Sequence, residues 1–219
     1  MCARGLGTHC PNRTVLGIQG RQGAFAEKLG LPVENLHEVP AAIDDATATF
    51  IEPVAACFEI LEQADPPRAE DGEGRVLVIG DGKLGILAAQ VLKSSGCDTV
   101  CAGRHRRKLA MIEKEFGIEA VEASKLEKDG AERFRFIVEC SGKPGGLETA
   151  TRLIEPRGTI VLKSTYAEKP CMDMAPWVIN EVTVVGSRCG PFEPAIEALA
   201  KKEVNLLPLV DETYPLEKA

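Results

Sequence analysis

Ten residues limit the fold of this chain more than any other feature: Val76-Leu77-Val78-Ile79-Gly80-Asp81-Gly82-Lys83-Leu84-Gly85, an apolar run ending in G-x-G-x-x-G. The run has no polar alternation, which suits a strand covered on both faces, and the residues after it have helical spacing. In this context each glycine has a separate reason. Gly80 permits the tight turn, Gly82 lets backbone N–H groups approach a pyrophosphate, and Gly85 lets the helix lie close to the strand. Phosphates then meet the positive end of a helix beginning near Leu84. The predicted cofactor-binding residues of this segment are Gly80, Gly82, Lys83, Leu84 and Gly85. A glycine-rich turn that binds nothing is the alternative, and the regular alternation that follows weighs against it.

That alternation predicts strands over 75–79 and 99–102 and helices over 84–94 and 108–116, with further elements over 134–140, 146–154, 159–163 and 182–185. Short connections between such elements are the signature of a parallel sheet covered by helices, here a doubly wound α/β domain. Upstream, apolar residues at helical spacing over 44–63 predict a helix starting near Pro53, a residue tolerated in a first turn. Residues 2–23 read as irregular structure with short strands, and 24–39, punctuated by Pro32, read as short strands of a small β-rich region. The apolar stretches at 15–18 and 206–210 are expected to stand exposed.

The end of the second strand bears on which dinucleotide would bind. An acid about 20 positions past the glycine turn ordinarily accepts from the ribose 2′-hydroxyl and repels a 2′-phosphate. Here the sequence reads Gly103-Arg104-His105-Arg106-Arg107-Lys108, with no carboxylate. Guanidinium groups make charge-assisted, bidentate hydrogen bonds to phosphate, so Arg104 and Arg107 are assigned to NADP, with NAD as the alternative. A solvated basic first turn of the next helix is the competing account.

Composition removes other classes of partner. The net charge of −7, from 33 acids against 26 bases, gives no electrostatic reason to bind nucleic acid or an anionic membrane. No apolar run approaches the ~20 residues needed to cross a bilayer, and a cytoplasmic setting is expected. Eight cysteines in such a setting read as free thiols or metal ligands, with Cys97, Cys101 and Cys140 as core filler.

At this point the residues resemble the zinc-containing medium-chain alcohol dehydrogenases, including sorbitol and threonine dehydrogenase-like members. The resemblance rests on the glycine turn and on Gly23-Ala24-Phe25-Ala26-Glu27, Ile51-Glu52-Pro53-Val54-Ala55 and Val138-Glu139-Cys140-Ser141-Gly142. It implies a β-rich GroES-like catalytic domain over 1–52, a Rossmann cofactor domain over 53–188 and a partial return to the catalytic domain over 189–219. It implies Glu52 as a ligand of a catalytic zinc, and Cys2 and Cys10 as remnants of a structural zinc lobe. It adds Ser141 and Gly142 at the cofactor, with Ser187, Arg188 and Cys189 near the return to the substrate domain. The family's remaining zinc ligands and its closing segment have no counterpart here, so the chain is expected to be truncated at both ends and impaired in catalysis, and no catalytic residue is assigned.

The activity so implied is hydride transfer between a secondary alcohol or polyol, or the matching carbonyl, and the nicotinamide. A dinucleotide-binding module without catalysis is one rival; a zinc-independent quinone or enoyl reductase is another, opposed by Glu52 and the Cys2/Cys10 pair. A strand near 183–186 left at a sheet edge would offer pairing to a second copy of the chain.

Overall fold

The computed structural model describes residues 3, 7–72, 74–126, 128, 130–167, 169 and 171–218. The chain forms two compact units, one made of residues 1–38 with 211–219 and the other of residues 39–210. Residues 39–52 and 189–210, which the sequence reading gives to the flanking pieces, lie in the second unit.

The described residues of the first unit carry two strands of two residues each, β1 (Val15–Leu16) and β2 (Gly20–Arg21), and 3-10 turns at Gly7–His9, Val33–Asn35 and Leu216–Lys218. The strands expected over 24–39 do not form. Pro32 has no N–H to give to a ladder, and Phe25, 87% exposed, shows with Val33 and Leu36 that the apolar positions have no core to face. Ile18 stands in solvent as expected for the 15–18 stretch, while Val15 and Leu16 are half-buried.

The second unit opens with α1 (Asp45–Ala48), capped by Asp44, whose carboxylate accepts from the Thr47 amide at 2.7 Å. It continues into α2 (Ile51–Ala64). Pro53 occupies the first turn of α2, where its missing N–H has no helical partner to lose. Strands and helices then alternate: β3 (Val76–Ile79), α3 (Lys83–Ser94), β4 (Thr99–Gly103), α4 (Arg106–Phe116), β5 (Glu119–Glu122), β6 (Phe134–Glu139), α5 (Pro144–Leu153), β7 (Ile154–Leu162), α6 (Ala175–Ile179), β8 (Thr183–Gly186) and α7 (Phe192–Ala200). The elements predicted over 75–116 begin and end within two residues of those observed, whereas β7 starts earlier than expected because α5 runs into it without a loop.

Six strands form one parallel sheet in the order β5-β4-β3-β6-β7-β8. This is the doubly wound arrangement: the chain builds outward from β3 in one direction, then returns to β6 and builds in the other. Side chains of β3 explain why the sheet needs cover on both faces. Val76 and Val78 enter a core with residues of α2, α3, α4 and α7, whereas Leu77 and Ile79 enter a second core with Leu147, Ala150 and Leu153 of α5. In α3 every residue from Gly85 to Leu92 is buried, because the helix lies between the sheet and α2. The expected exposure of 206–210 holds only in part: Leu206 and Leu209 are buried in the first core, and Leu207, 77% exposed, projects outward. Among the described residues no helix is long and apolar enough to cross a membrane.

Candidate functional site

In open α/β sheets ligands bind beyond the carboxyl ends of the strands, where the winding direction reverses. Here that point lies between β3 and β6, and a cleft of about 370 Å³ opens there. Gly80, Asp81 and Gly82 supply one wall, Arg104, His105 and Lys108 a second, and Ser141 and Lys143 a third. A roomier hollow of about 480 Å³ lies beside α5 and α6. Its two arginines are already engaged, Arg133 with the Ile154 carbonyl and Arg152 with the Leu126 carbonyl, so the cleft at the strand ends is the better ligand site.

Steric detail explains the glycine turn. Gly80 has φ +127°, a conformation that side chains disfavour, and a Cβ there would lie 2.8 Å from the Cys140 carbonyl. A Cβ on Gly85 would lie 2.0 Å from the Gly80 carbonyl oxygen. A Cβ on Gly82 would meet nothing within 4 Å, so a wall of the cleft is bare backbone with room for a ligand against it. Gly82 is also the N-cap of α3, and no side chain caps that helix. With no side-chain cap at its start, the first turn of α3 presents backbone N–H groups and the positive end of the helix, which suits an anion.

Of the basic residues after β4, Arg104, His105 and Lys108 line the cleft. Arg107 is exposed on α4 and does not, and Arg106 is engaged by Glu122 at 2.8 Å. The carboxylate missing from the end of β4 has a counterpart that the linear sequence conceals. Asp81 reaches across from the glycine turn, and its Oδ2 accepts from the Arg104 amide at 2.9 Å and the His105 amide at 2.7 Å, with His105 Nδ1 at 2.9 Å. Burial pushes the Asp81 carboxyl up, but the hydrogen bonds from His105 and Arg104 outweigh it and hold the carboxyl below its usual range.

A second polar group missed by the sequence reading lies at the ends of β6 and β7. Glu139 is fully buried; its Oε1 accepts from the Ser141 amide at 2.8 Å and its Oε2 from the Tyr166 hydroxyl at 2.7 Å. The Gly142 amide donates to Ser164 Oγ at 2.9 Å, so of the pair Ser141 and Gly142 only Ser141 lines the cleft. Lys163, also buried, donates to the Ala56 carbonyl at 2.6 Å and to Ser187 Oγ at 3.1 Å, tying β7 to α2 and to the end of β8. Arg188 and Cys189 follow as a contact pair, Arg188 donating to Cys189 Sγ at 3.2 Å.

Cysteine chemistry here is quiet. Burial pushes the thiols of Cys57 and Cys101 up to about 12 and raises Cys97 and Cys140 as well, so all four remain protonated thiols near neutral pH. Cys97 and Cys101 are core filler as expected, joined by Cys57, while Cys140 is half-buried.

Among the described residues no three His, Cys, Asp or Glu side chains gather as a metal site. Glu52 is exposed on the first turn of α2. Cys10 belongs to the other unit, and Cys2 lies outside the described residues. The described donors do not make up a zinc site.

A doubly wound sheet with a glycine-walled cleft at its switch point defines the class: a Rossmann-type, dinucleotide-binding fold. The chain belongs to the zinc-binding dehydrogenase family, whose profile matches residues 84–202, more than half of its length. It is similar to the sorbitol dehydrogenase of Halalkalibacterium halodurans, 28% identical over 98% of this chain and 65% of that protein. Among solved structures it resembles a protein of Sinorhizobium meliloti described as a zinc-binding dehydrogenase and solved bound to NADP, at 24% identity and a TM-score of 0.83, covering 94% of this chain and 63% of that one. An Escherichia coli alcohol dehydrogenase solved with NADH has 24% identity and a TM-score of 0.79, covering 93% and 62%. This chain thus spans just under two thirds of each of these proteins.

Proposed function

We propose that this chain is the cofactor-binding part of an NADP-preferring, zinc-dependent dehydrogenase that oxidises a secondary alcohol or polyol, or reduces the matching carbonyl. The observation that carries the reading is the cleft itself: bare backbone at Gly82, the uncapped start of α3 and the cations of the β4–α4 turn converge on one space. In this reading the amides at the start of α3 hold the pyrophosphate, and Arg104 with Lys108 holds the 2′-phosphate of the adenosine ribose.

Charge placement on α4 supports the choice of a phosphorylated ribose. Its first turn carries Arg106, Arg107 and Lys108 and no acid, although cations at a helix N-terminus are disfavoured by roughly 0.3–1 kcal/mol each. A bound anion would relieve that repulsion. The solved relatives hold NADP in one case and NADH in the other, so the fold admits either, and the basic turn is the feature that selects. When bound, the nucleotide supplies a hydride acceptor for the carbinol carbon. This chain's residues bind and orient it. In this reading Glu52 is one ligand of the catalytic zinc, and residues 1–38 with 211–219 belong to a GroES-like substrate domain.

Calorimetric titration with NADPH and with NADH tests the reading. NADPH should bind at least about tenfold more tightly, a difference near 1.4 kcal/mol, and Arg104→Asp should abolish that difference. Equal affinities would overturn the NADP assignment; binding of neither would overturn the cofactor assignment altogether. Turnover with a panel of polyols then separates an enzyme from a binding module without catalysis.

A further inference from the structure

Asp81 is placed in an unusual way for a residue of the glycine turn. It is 7% exposed, and the room for its side chain exists because β4 ends in Gly103: a Cβ there would lie 2.5 Å from both Cβ and Oδ2 of Asp81. An acid at the end of the second strand normally reads the ribose, and here the carboxylate comes instead from the second position of the glycine turn. The geometry that results is different from an acid that reads a ribose. Oδ2 already accepts from two backbone amides, and the His105 imidazole nitrogen sits 3.0 Å from Oδ1 and 2.9 Å from Oδ2. A carboxylate offers about four lone-pair sites, and most of these are directed at the turn. What the turn presents to the cleft is its basic side, Arg104 and Lys108.

We propose that Asp81 is a positioning residue for cofactor selection: by fixing the amides of Arg104 and His105 it sets the Arg104 guanidinium to receive the 2′-phosphate of the adenosine ribose. The inference rests on the reading that NADP occupies this cleft. It is opposed in sign to the account in which Asp81 acts on the ribose directly. A carboxylate reading the 2′-position itself repels a 2′-phosphate, so its neutralisation strengthens the binding of phosphorylated ligands. A carboxylate acting through Arg104 weakens that binding when its oxygens are removed, because the Arg104 and His105 N–H groups then lose the acceptor that fixes them.

The test uses the 219-residue chain, with 2′,5′-ADP and 5′-ADP as probes, in the wild type, Asp81→Ala, Arg104→Ala and the double variant. Amide hydrogen exchange at Arg104 and His105 reports on the turn without nucleotide. In the wild type 2′,5′-ADP should bind about tenfold more tightly than 5′-ADP. Asp81→Ala should bring that ratio down to within about threefold of unity, with 5′-ADP affinity changing less than 2′,5′-ADP affinity and with faster exchange at both amides. In the Arg104→Ala background the same substitution should leave the ratio where Arg104→Ala put it, the mark of action through one residue. A wild type without preference overturns the NADP reading and this inference together. A wild type with preference that Asp81→Ala preserves or increases, in a chain that still melts cooperatively, overturns the role of Asp81 alone. Should Asp81→Ala fail to fold, Gly103→Ser, which drives a side chain into the Asp81 carboxylate, is the second variant, and it must lower the ratio in the same direction.

Discussion

Replacing Gly85 by alanine isolates the contact that brings α3 against β3. The new Cβ would lie 2.0 Å from the Gly80 carbonyl oxygen and 3.0 Å from its carbon. An ordinary carbon–oxygen contact is no shorter than about 3.3 Å, so the shortfall is about 1.3 Å. Both sides of the contact are backbone, and no rotamer relieves it. The helix has to move away from the strand, which opens gaps along the buried residues Ile86 to Leu92, where a gap of about 0.5–1 Å already loses a quarter to a half of the dispersion attraction. Overpacking costs about 1–3 kcal/mol, and a clash confined to backbone belongs at or above the upper end. For a chain of this size each kcal/mol lowers Tm by about 2–4 °C, so Gly85→Ala should melt about 6–12 °C below the wild type. Gly82→Ala is the paired control. Gly82 has φ −77° and open space where its Cβ would project, so stability should fall by about 1 kcal/mol or less, while the methyl occupies the space given to the pyrophosphate and NADPH binding should be lost. Calorimetric melting and NADPH titration of the two variants read both effects. Melting of Gly85→Ala within about 2 °C of the wild type would refute the steric argument, and wild-type NADPH affinity in Gly82→Ala would refute the placement of the pyrophosphate.

Three further outcomes follow from other contacts. Glu139→Ala strands the Ser141 amide and the Tyr166 hydroxyl and should cost about 2–5 kcal/mol in urea unfolding; Glu139→Gln, which keeps an acceptor, should cost far less, and a cost below about 1 kcal/mol for the alanine variant would show that neither bond matters. The Asp81 carboxyl is held below its ordinary value of 3.8, so its stabilising contribution is present above that pH and is lost as pH falls through the folded value; Asp81→Asn should flatten the stability curve in that acid window, and an unchanged slope there counts against the hydrogen-bonded carboxylate. β8 is the edge of the sheet among the described strands, and pairing with a second copy through it predicts a concentration-dependent dimer in sedimentation; a monomer at all concentrations removes that pairing.

Local signals in the sequence sufficed for most of the sheet unit. The four-residue apolar run at Val76, the glycine turn and the return of helical spacing at Leu84 each depend on neighbours within a few positions, so strand, turn and helix are legible without the fold. The same local rules misread 24–39, since alternation makes a strand only where a core and a partner strand exist, and Phe25 and Val33 face solvent. They also assigned exposure to Leu206 and Leu209, which are buried because Gln90 of α3 binds both backbone groups of Asn205, 115 residues away.

What the sequence determined by itself is the parallel α/β class, the glycine turn and the basic character of the residues after β4. What only the tertiary structure decided is which polar groups meet. A glutamate in a strand reads as a surface residue, and Glu139 is fully buried because Ser141 and Tyr166 satisfy it. The end of β4 reads as lacking an acid, and Asp81 supplies one from 23 positions upstream of Arg104, because parallel pairing of β3 with β4 sets their carboxyl ends side by side. A segment's leaning towards helix or strand follows from side-chain spacing among near neighbours, whereas a site is made by strand register, which joins residues that the chain keeps apart.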